Sequence, residues 1–110
     1  MKDNMSPLTV LKALANGKRL KIMEWILSPE EHFPPQQDGD LVEDGVCVGF
    51  ITEKTGLSQP TVTSHMKQLA DAGLVTPKQI KNWVFYKPDR PAIRRAMSEI
   101  GSILDLDRQS

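Results

Sequence analysis

Short polar side chains crowd the stretch QPTVTSHMKQ, residues 59–68, and the chemistry they offer is hydrogen bonding. Hydroxyl, amide and imidazole groups donate and accept hydrogen bonds, so they can read base edges in a major groove and hold phosphates. An ordinary surface helix of this length would usually carry several Glu–Lys pairs instead. The alternative interpretation is a solvated polar face on a small helical protein. We expect contacts to bases or phosphates from Ser58, Gln59, Thr61, Thr63, Ser64, His65, Lys67 and Gln68.

Two short helices with a tight turn between them would position these side chains. Gly56 lies where the first helix must end, because glycine tolerates the positive φ of a sharp turn. Ser58 is a suitable N-cap for the second helix, and Pro60 falls in its first turn, where a missing N–H costs little. One inward stripe is expected at spacings of four, three and four, from Val62, Met66, Leu69 and Gly73. The pattern predicts a helix-turn-helix over about residues 46–73.

A β-hairpin is predicted next, over about residues 75–88. Its two runs are rich in β-branched and aromatic residues, and Asn82 lies at or beside the turn. The hairpin carries three lysines, Lys78, Lys81 and Lys87. A basic hairpin directly after a helix-turn-helix is typical of a wing that lies along DNA and contacts phosphates.

Three further helices are predicted around this unit. Ser6 caps the first, which begins at Pro7 and ends at the Asn16–Gly17 pair. Its apolar side is expected to hold Leu8, Val10, Leu11 and Leu14. The second helix spans about residues 18–27 and ends at Pro29. On it we expect Leu20, Met23, Ile26 and Leu27 to face inward, and Lys18, Arg19 and Lys21 to face outward.

The last helix is predicted over about residues 91–105, beginning at Pro91. Apolar side chains recur along it at spacings of four, three and four, at Ile93, Met97, Ile100 and Leu104. An apolar stripe on a terminal helix suggests a subunit interface, although part of it must pack on the chain's own core.

Residues 29–45, the acidic loop, hold six acids and no Lys or Arg. Their prolines and glycines predict a loop or a loosely held excursion, in which Leu41–Val42 could add a short strand. One interpretation is a solvated insertion with no dedicated role. The other is that its charge keeps DNA off that side of the molecule or docks on a partner. His32 beside Glu30 and Glu31 is read as a solvated histidine rather than a metal ligand.

Length and composition narrow the class of protein. A chain of 110 residues fits one domain with one modest core. One cysteine, Cys47, excludes an internal disulfide, and no signal peptide or membrane-spanning run is evident, so we expect a cytoplasmic protein. The net charge of zero is uneven, because outside the acidic loop fourteen basic and eight acidic residues leave a net of +6.

Three segments together resemble the ArsR/SmtB family of winged-helix repressors: LKALANGKRLKIMEWIL at 11–27, GVCVGFITEKTGLSQPTVTSHMKQLADAGLV at 45–75, and KNWVFYKP at 81–88. The resemblance implies a mainly α fold with a small β-hairpin, a winged helix-turn-helix in the order α-α-α-α-β-β-α. It implies a homodimer built on the first and last helices, which places Leu8 and Leu11 beside the stripe of Ile93, Met97, Ile100 and Leu104. It also implies a recognition helix in the major groove of a near-palindromic operator, which such repressors leave when an effector binds.

The familiar metal sites of that family are not matched here. The two-cysteine box reads Cys47-Val48-Gly49, which leaves one thiolate where soft metals want two to four thiolate or imidazole ligands. The last helix has no histidine, and its one acid is Glu99. We therefore expect no metal and no cofactor. Cys47 is either a redox or electrophile sensor near a helix N-terminus or a small buried apolar residue.

Two functions from different classes fit these features. The first is a sequence-specific, dimeric DNA-binding regulator with an unidentified effector and no membrane partner. The alternative is a winged helix that binds protein through the acidic loop and the last helix. Residues 54–90 favour DNA, because they carry six basic residues and two acids, a net of +4. No phosphate loop, nucleophile elbow or acid–base cluster supports an enzyme.

Overall fold

The computed structural model describes residues 6–105, which form six helices and a small antiparallel sheet. In chain order the elements are α1 (Pro7–Leu14), α2 (Gly17–Leu27), α3 (Pro29–His32), β1 (Val46–Cys47), α4 (Val48–Thr55), α5 (Gln59–Asp71), β2 (Val75–Ile80), β3 (Trp83–Pro88) and α6 (Arg90–Ile103). This is the predicted winged helix-turn-helix with two additions, α3 and β1. Within residues 6–105, no helix is long and apolar enough to cross a membrane.

Side-chain caps fix where the helices begin. The Ser6 hydroxyl accepts a hydrogen bond from the Thr9 backbone N–H at 3.2 Å, so α1 begins at Pro7 as predicted. Asn16 caps α2 by accepting from two backbone N–H groups, at 3.0 and 3.1 Å. Pro29 does not simply end α2, because it opens the short helix α3. Asp89 caps α6, which therefore begins at Arg90, one residue before the predicted start.

The sheet has three strands in the order β1-β3-β2, all antiparallel. β2 and β3 form the predicted hairpin, from the Val75–Pro88 pair to the Ile80–Trp83 pair. The chain reverses through Lys81 and Asn82, with Lys81 in the left-handed region at φ 58°. The predicted strand at Leu41–Val42 is wrong: these residues lie in a turn, and the extra strand is β1. Two backbone pairs, with Cys47 opposite Phe85 in one of them, are enough to order β1 against the hairpin.

The core lies between the helices and one face of the sheet. The inward stripe of α5 is confirmed, since Val62, Met66 and Leu69 are fully buried. The remaining core is formed mainly by Val10, Ile22, Met23, Ile26, Val46, Ile51, Leu74, Tyr86 and Ala96. Burial of these side chains holds α5 rigidly against the rest of the molecule.

Two predictions for α2 are wrong. Leu20 points outward and is 55 % exposed, whereas Arg19 is only 8 % exposed. Ile22 takes the inward position and is fully buried. Met23 and Ile26 face inward as predicted. Arg19 can join them because its guanidinium has acceptors on α1 and α5, which satisfy a group that normally stays in water.

The acidic loop is packed on the sheet rather than loosely held. Phe33 is buried at 7 % exposure, and the Gln36 side chain accepts from the Cys47 N–H at 2.7 Å and donates to the Gly45 carbonyl at 3.1 Å. Gly45 has φ +102°, and a Cβ atom there would run into the Tyr86 carbonyl. The loop therefore ends at a position that only glycine suits.

On α1, the residues that pack inward are Val10 and Ala13, whereas Leu8 and Leu11 are exposed. The predicted apolar side of this helix therefore divides between the core and the surface. α1 contacts α6, so the helix that carries the two exposed leucines lies beside the last helix.

Candidate nucleic-acid interface

The helix-turn-helix is built as the sequence predicts. Gly56 ends α4 in the left-handed region at φ 75°, and its N–H donates to the Thr52 carbonyl at 3.0 Å. Leu57 follows and packs partly buried against the core. Ser58 then caps α5 by accepting from the Thr61 backbone N–H. These local features set the direction of α5 and leave its polar face outward.

Four polar side chains of α5 are exposed and unoccupied. Within residues 6–105, no side-chain hydrogen bond is made by Gln59, Thr63, Ser64 or Gln68. Their amide and hydroxyl groups span the exposed side of the helix over nearly three turns. An array of unoccupied donors and acceptors on a rigid, well-capped helix matches what base-edge recognition requires.

Three other predicted contacts on this face already have partners. The Ser58 hydroxyl donates to the Thr61 hydroxyl at 2.9 Å, so these two groups serve the cap. Lys67 forms an ion pair with Asp71 one turn later, at 2.9 Å. Both side chains of that pair are exposed, so it contributes roughly 0.3–0.5 kcal/mol and a phosphate can replace the carboxylate.

His65 lies at the edge of the polar face and is partly buried. Its Nδ1 atom is 3.1 Å from Nη1 of Arg19, the buried arginine of α2. Desolvation lowers the pKa of His65 below its usual 6.5, and the nearby cations Arg19 and Lys18 lower it further. Sequence reasoning missed Arg19, because nothing in its local pattern distinguishes it from the exposed Lys18 and Lys21.

The wing lysines do not stand free, because each one reaches the acidic loop. Lys78 forms an ion pair with Asp44 at 2.5 Å, and Lys81 forms one with Asp38 at 3.0 Å. The Lys87 ammonium donates to the backbone carbonyl of Glu43 at 3.1 Å. The structure thus brings together two regions that the sequence separates by 34 to 44 residues.

The remaining basic residues of the 54–90 stretch are also engaged. The Lys54 ammonium lies over the rings of Trp25 and Phe33, at 5.1 and 5.8 Å from their centroids. Arg90 donates to the Leu27 carbonyl at 2.8 Å. The +4 of this stretch is therefore partly balanced in space by Asp38 and Asp44, which a count along the chain places elsewhere.

Cys47 is partly exposed and occupies the N-cap position of α4. It lines a shallow cleft with Trp83, Phe85 and Gln36. In the part of the chain from 6 to 105, no three His, Cys, Asp or Glu side chains are grouped to hold a metal ion.

Comparison with known proteins places this arrangement in a family. The model of the bacterial regulatory protein, arsR family, matches residues 41–76, from the end of the acidic loop through α5 to β2. A Bacillus subtilis (strain 168) protein, the uncharacterized HTH-type transcriptional regulator YbzH, is 39 % identical over 89 residues, which cover 81 % of this chain and 89 % of that protein.

A more distant relative and a solved structure are also similar to this chain. The arsenical resistance operon repressor of Staphylococcus aureus is 30 % identical over 79 residues, which cover 72 % of this chain but only 62 % of that repressor. The solution NMR structure of a homodimeric winged helix-turn-helix DNA-binding domain, Mb0332 from Mycobacterium bovis, superposes with a TM-score of 0.61 at 22 % identity. That match covers 93 % of this chain and 82 % of the domain. The chain belongs to the ArsR family and is a winged helix-turn-helix, DNA-binding transcriptional regulator.

Proposed function

We propose that this regulator binds a near-palindromic operator as a homodimer, inserts α5 of each subunit in the major groove and represses transcription. The observation that carries the proposal is the exposed face of α5, where Gln59, Thr63, Ser64 and Gln68 offer unoccupied donors and acceptors. The buried stripe on the opposite side fixes this face with respect to the core. A helix that is fixed on one side and free to hydrogen-bond on the other can read bases.

The dimer would form through α1 and α6. These helices contact each other and expose large apolar side chains at Leu8, Leu11, Met97 and Leu104, between 41 and 62 % exposed. Ile93 and Ile100 lie partly buried beside them. Within residues 6–105 nothing covers these side chains, whereas a two-fold axis would bury them against a second copy of the chain. The homodimeric domain from Mycobacterium bovis, which has the same fold, supports this arrangement.

The wing would follow the DNA backbone beside the groove. For Lys78, Lys81 and Lys87 to contact phosphates, the DNA must compete with Asp44, Asp38 and the Glu43 carbonyl for these ammonium groups. Exposed ion pairs contribute about 0–1 kcal/mol each, which is within the range that a phosphate contact can replace. The wing therefore contributes less to the free energy of DNA binding than three lysines without partners would.

Repression and its release complete the proposal. The Staphylococcus aureus relative is an operon repressor, which supports the same direction of control here. An effector other than a metal held at the family's familiar sites would release the operator, because Cys47 supplies a single thiolate. Because the proposed target is chromosomal DNA, we propose that the regulator acts in the cytoplasm.

A selection from random-sequence duplexes tests the proposal. The purified chain is mixed with the duplex pool at several salt concentrations, and the bound fraction is sequenced. The expected product is a near-palindrome whose half-sites are spaced by about one helical turn. Recovery without sequence preference that disappears by physiological salt would contradict it and favour the protein-binding alternative.

A further inference from the structure

Arg19 is a buried cation, and each of its three guanidinium nitrogens has a hydrogen-bond partner. Its Nε donates to the Ala13 carbonyl at 2.6 Å, and its Nη2 donates to the Lys12 carbonyl at 3.4 Å. Both carbonyls belong to the last turn of α1, where helical carbonyls lack partners within the helix. The guanidinium is therefore a cap for α1, and the negative end of that helix stabilises its charge.

The third acceptor of Arg19 is on the recognition helix. Its Nη1 lies 3.1 Å from Nδ1 of His65. A guanidinium is always protonated and can only donate, so Nδ1 of the imidazole must accept. A neutral imidazole that accepts at Nδ1 carries its proton on Nε2. The contact thus selects one tautomer of His65 and leaves a single N–H donor on the other side of the ring.

The surroundings keep that imidazole neutral. Arg19 and Lys18, both from α2, are the charged groups that act on it, and both are cations. Desolvation acts in the same direction and, with them, lowers the pKa of His65. Protonation would place a proton on Nδ1 against the guanidinium, which would break the contact.

The position of His65 on α5 would bring its free Nε2–H group to an acceptor on DNA. It lies one turn beyond Thr61 and just before Gln68, at the edge of the polar face of α5. A donor at this edge would meet an acceptor on DNA, either a base-edge atom such as guanine N7 or O6 or a phosphate oxygen.

We propose that Arg19 is a positioning residue that holds His65 as a fixed Nε2–H donor and so determines which acceptor on DNA the recognition helix selects at that point. The proposal rests on the proposed function, because it requires α5 to lie in the groove. Through its contacts with α1, Arg19 would also connect the helix proposed for dimerisation with the helix that reads DNA.

The tautomer is tested first, in the free protein without DNA. Long-range proton–nitrogen NMR spectra of the wild-type chain distinguish the two ring nitrogens of each histidine. We expect His65 to be protonated at Nε2 only. His32 serves as the internal control, since among residues 6–105 its side chain makes no hydrogen bond. Protonation of His65 at Nδ1 would overturn the proposal, whatever the protein does with DNA.

Operator binding is tested next, with the duplex selected above and a scrambled duplex of the same composition. His65→Asn keeps an acceptor near the Nδ1 position but loses the outer donor, whereas His65→Gln places an amide N–H near the Nε2 position. We expect His65→Asn to lower the affinity for the operator by about tenfold and His65→Gln to lower it less. Equal losses for the two variants would contradict a donor role.

Arg19→Lys completes a double-mutant cycle with His65→Asn. We expect Arg19→Lys alone to lower operator affinity on the order of tenfold, and to add no further loss once His65 is replaced. Additive losses would assign Arg19 a merely structural role, which thermal unfolding of each variant would report separately.

A loss confined to one base pair indicates a base acceptor, whereas an equal loss on all duplexes indicates a phosphate. If no operator is selected but the tautomer is as expected, the proposed function fails and the Arg19–His65 contact does not.

Discussion

The recognition helix and the wing differ in how much of their polar surface is available. On α5, Gln59, Thr63, Ser64 and Gln68 have no side-chain partner within the described chain. On the β2–β3 hairpin, each of the three lysines already contacts the acidic loop. Exposure alone would rank the two regions equally, so exposure is a poor measure of readiness to bind DNA.

The difference predicts two kinds of contact with DNA. Groups on α5 exchange only water for base edges when they bind, so their contribution depends on sequence. Wing lysines exchange one anion or carbonyl for another, so their contribution is small and independent of sequence. We therefore expect the acidic loop to weaken the general attraction to DNA and to leave base recognition unchanged.

Breaking the junction between the acidic loop and the sheet should have the largest effect. Gly45→Ala places a methyl group against the Tyr86 carbonyl at a backbone φ of +102°. We expect the free energy of unfolding to fall by about 2–4 kcal/mol, measured by urea denaturation. The matched control is Gly17→Ala, where a Cβ atom would meet nothing within 4 Å and stability should not fall. If both variants lost the same free energy of unfolding, the close contact between Gly45 and the Tyr86 carbonyl would not be the cause.

Removing one group from the free face of α5 tests base recognition. Gln59→Ala should cost roughly 1–3 kcal/mol of operator binding and relax specificity at one base pair, with stability nearly unchanged. Titration of the selected operator and of its single-base variants measures both. Gln37→Ala, an exposed amide in the acidic loop, is the control. If Gln59→Ala left operator preference intact, that residue would not read bases.

Freeing the wing should strengthen binding to any sequence. Asp38→Asn with Asp44→Asn removes both ion-pair partners, so Lys78 and Lys81 can meet phosphates without competition. We expect scrambled-duplex affinity to rise by roughly 0.5–1 kcal/mol at low salt. Glu30→Gln with Glu31→Gln changes the net charge by the same amount but touches no wing lysine. An equal rise in this control would assign the effect to net charge alone.

Acid should loosen the recognition helix slightly, in contrast to the wing. The pKa of His65 is lowered in the folded state, so its contribution to stability is complete above 6.5 and is lost as pH falls through the lower folded value. Hydrogen bonding from Lys78 lowers the pKa of Asp44 below 3.8, so the wing pair survives this change. Urea denaturation from neutral pH downward should show the loss in the wild type and not in His65→Gln. A loss that persists in His65→Gln would arise from another group.

Local patterns along the chain predict most of the helix-turn-helix and the hairpin. Gly56, Ser58 and the α5 stripe act within a few residues of one another, so the sequence carries their signal directly. Arg19 and Leu20 were predicted on the wrong sides of α2, since the burial of Arg19 depends on a histidine 46 residues away. The periodicity of apolar residues along a helix cannot identify so distant a partner.

The acidic loop shows the same limit on a larger scale. Its composition is typical of a solvated segment, yet Phe33, Gln36 and Gly45 fix it to the core and the sheet. The ion pairs to the wing follow from that packing and reach across more than 30 residues. Composition reports how a segment interacts with water, not which distant strand can pair with it.

An NMR titration with the selected operator tests this account most directly, because one sample reports on both regions. The NMR signals of the Gln59 and Gln68 side-chain amides report on α5. The signals of the Asp38 and Asp44 carboxyl carbons report on the ion pairs with the wing lysines. We predict that the amide signals shift as DNA binds. The carboxyl signals should also shift, because phosphates take the place of the two carboxylates beside the wing lysines. Tight operator binding with unchanged α5 amides would contradict the assignment of α5 as the recognition helix.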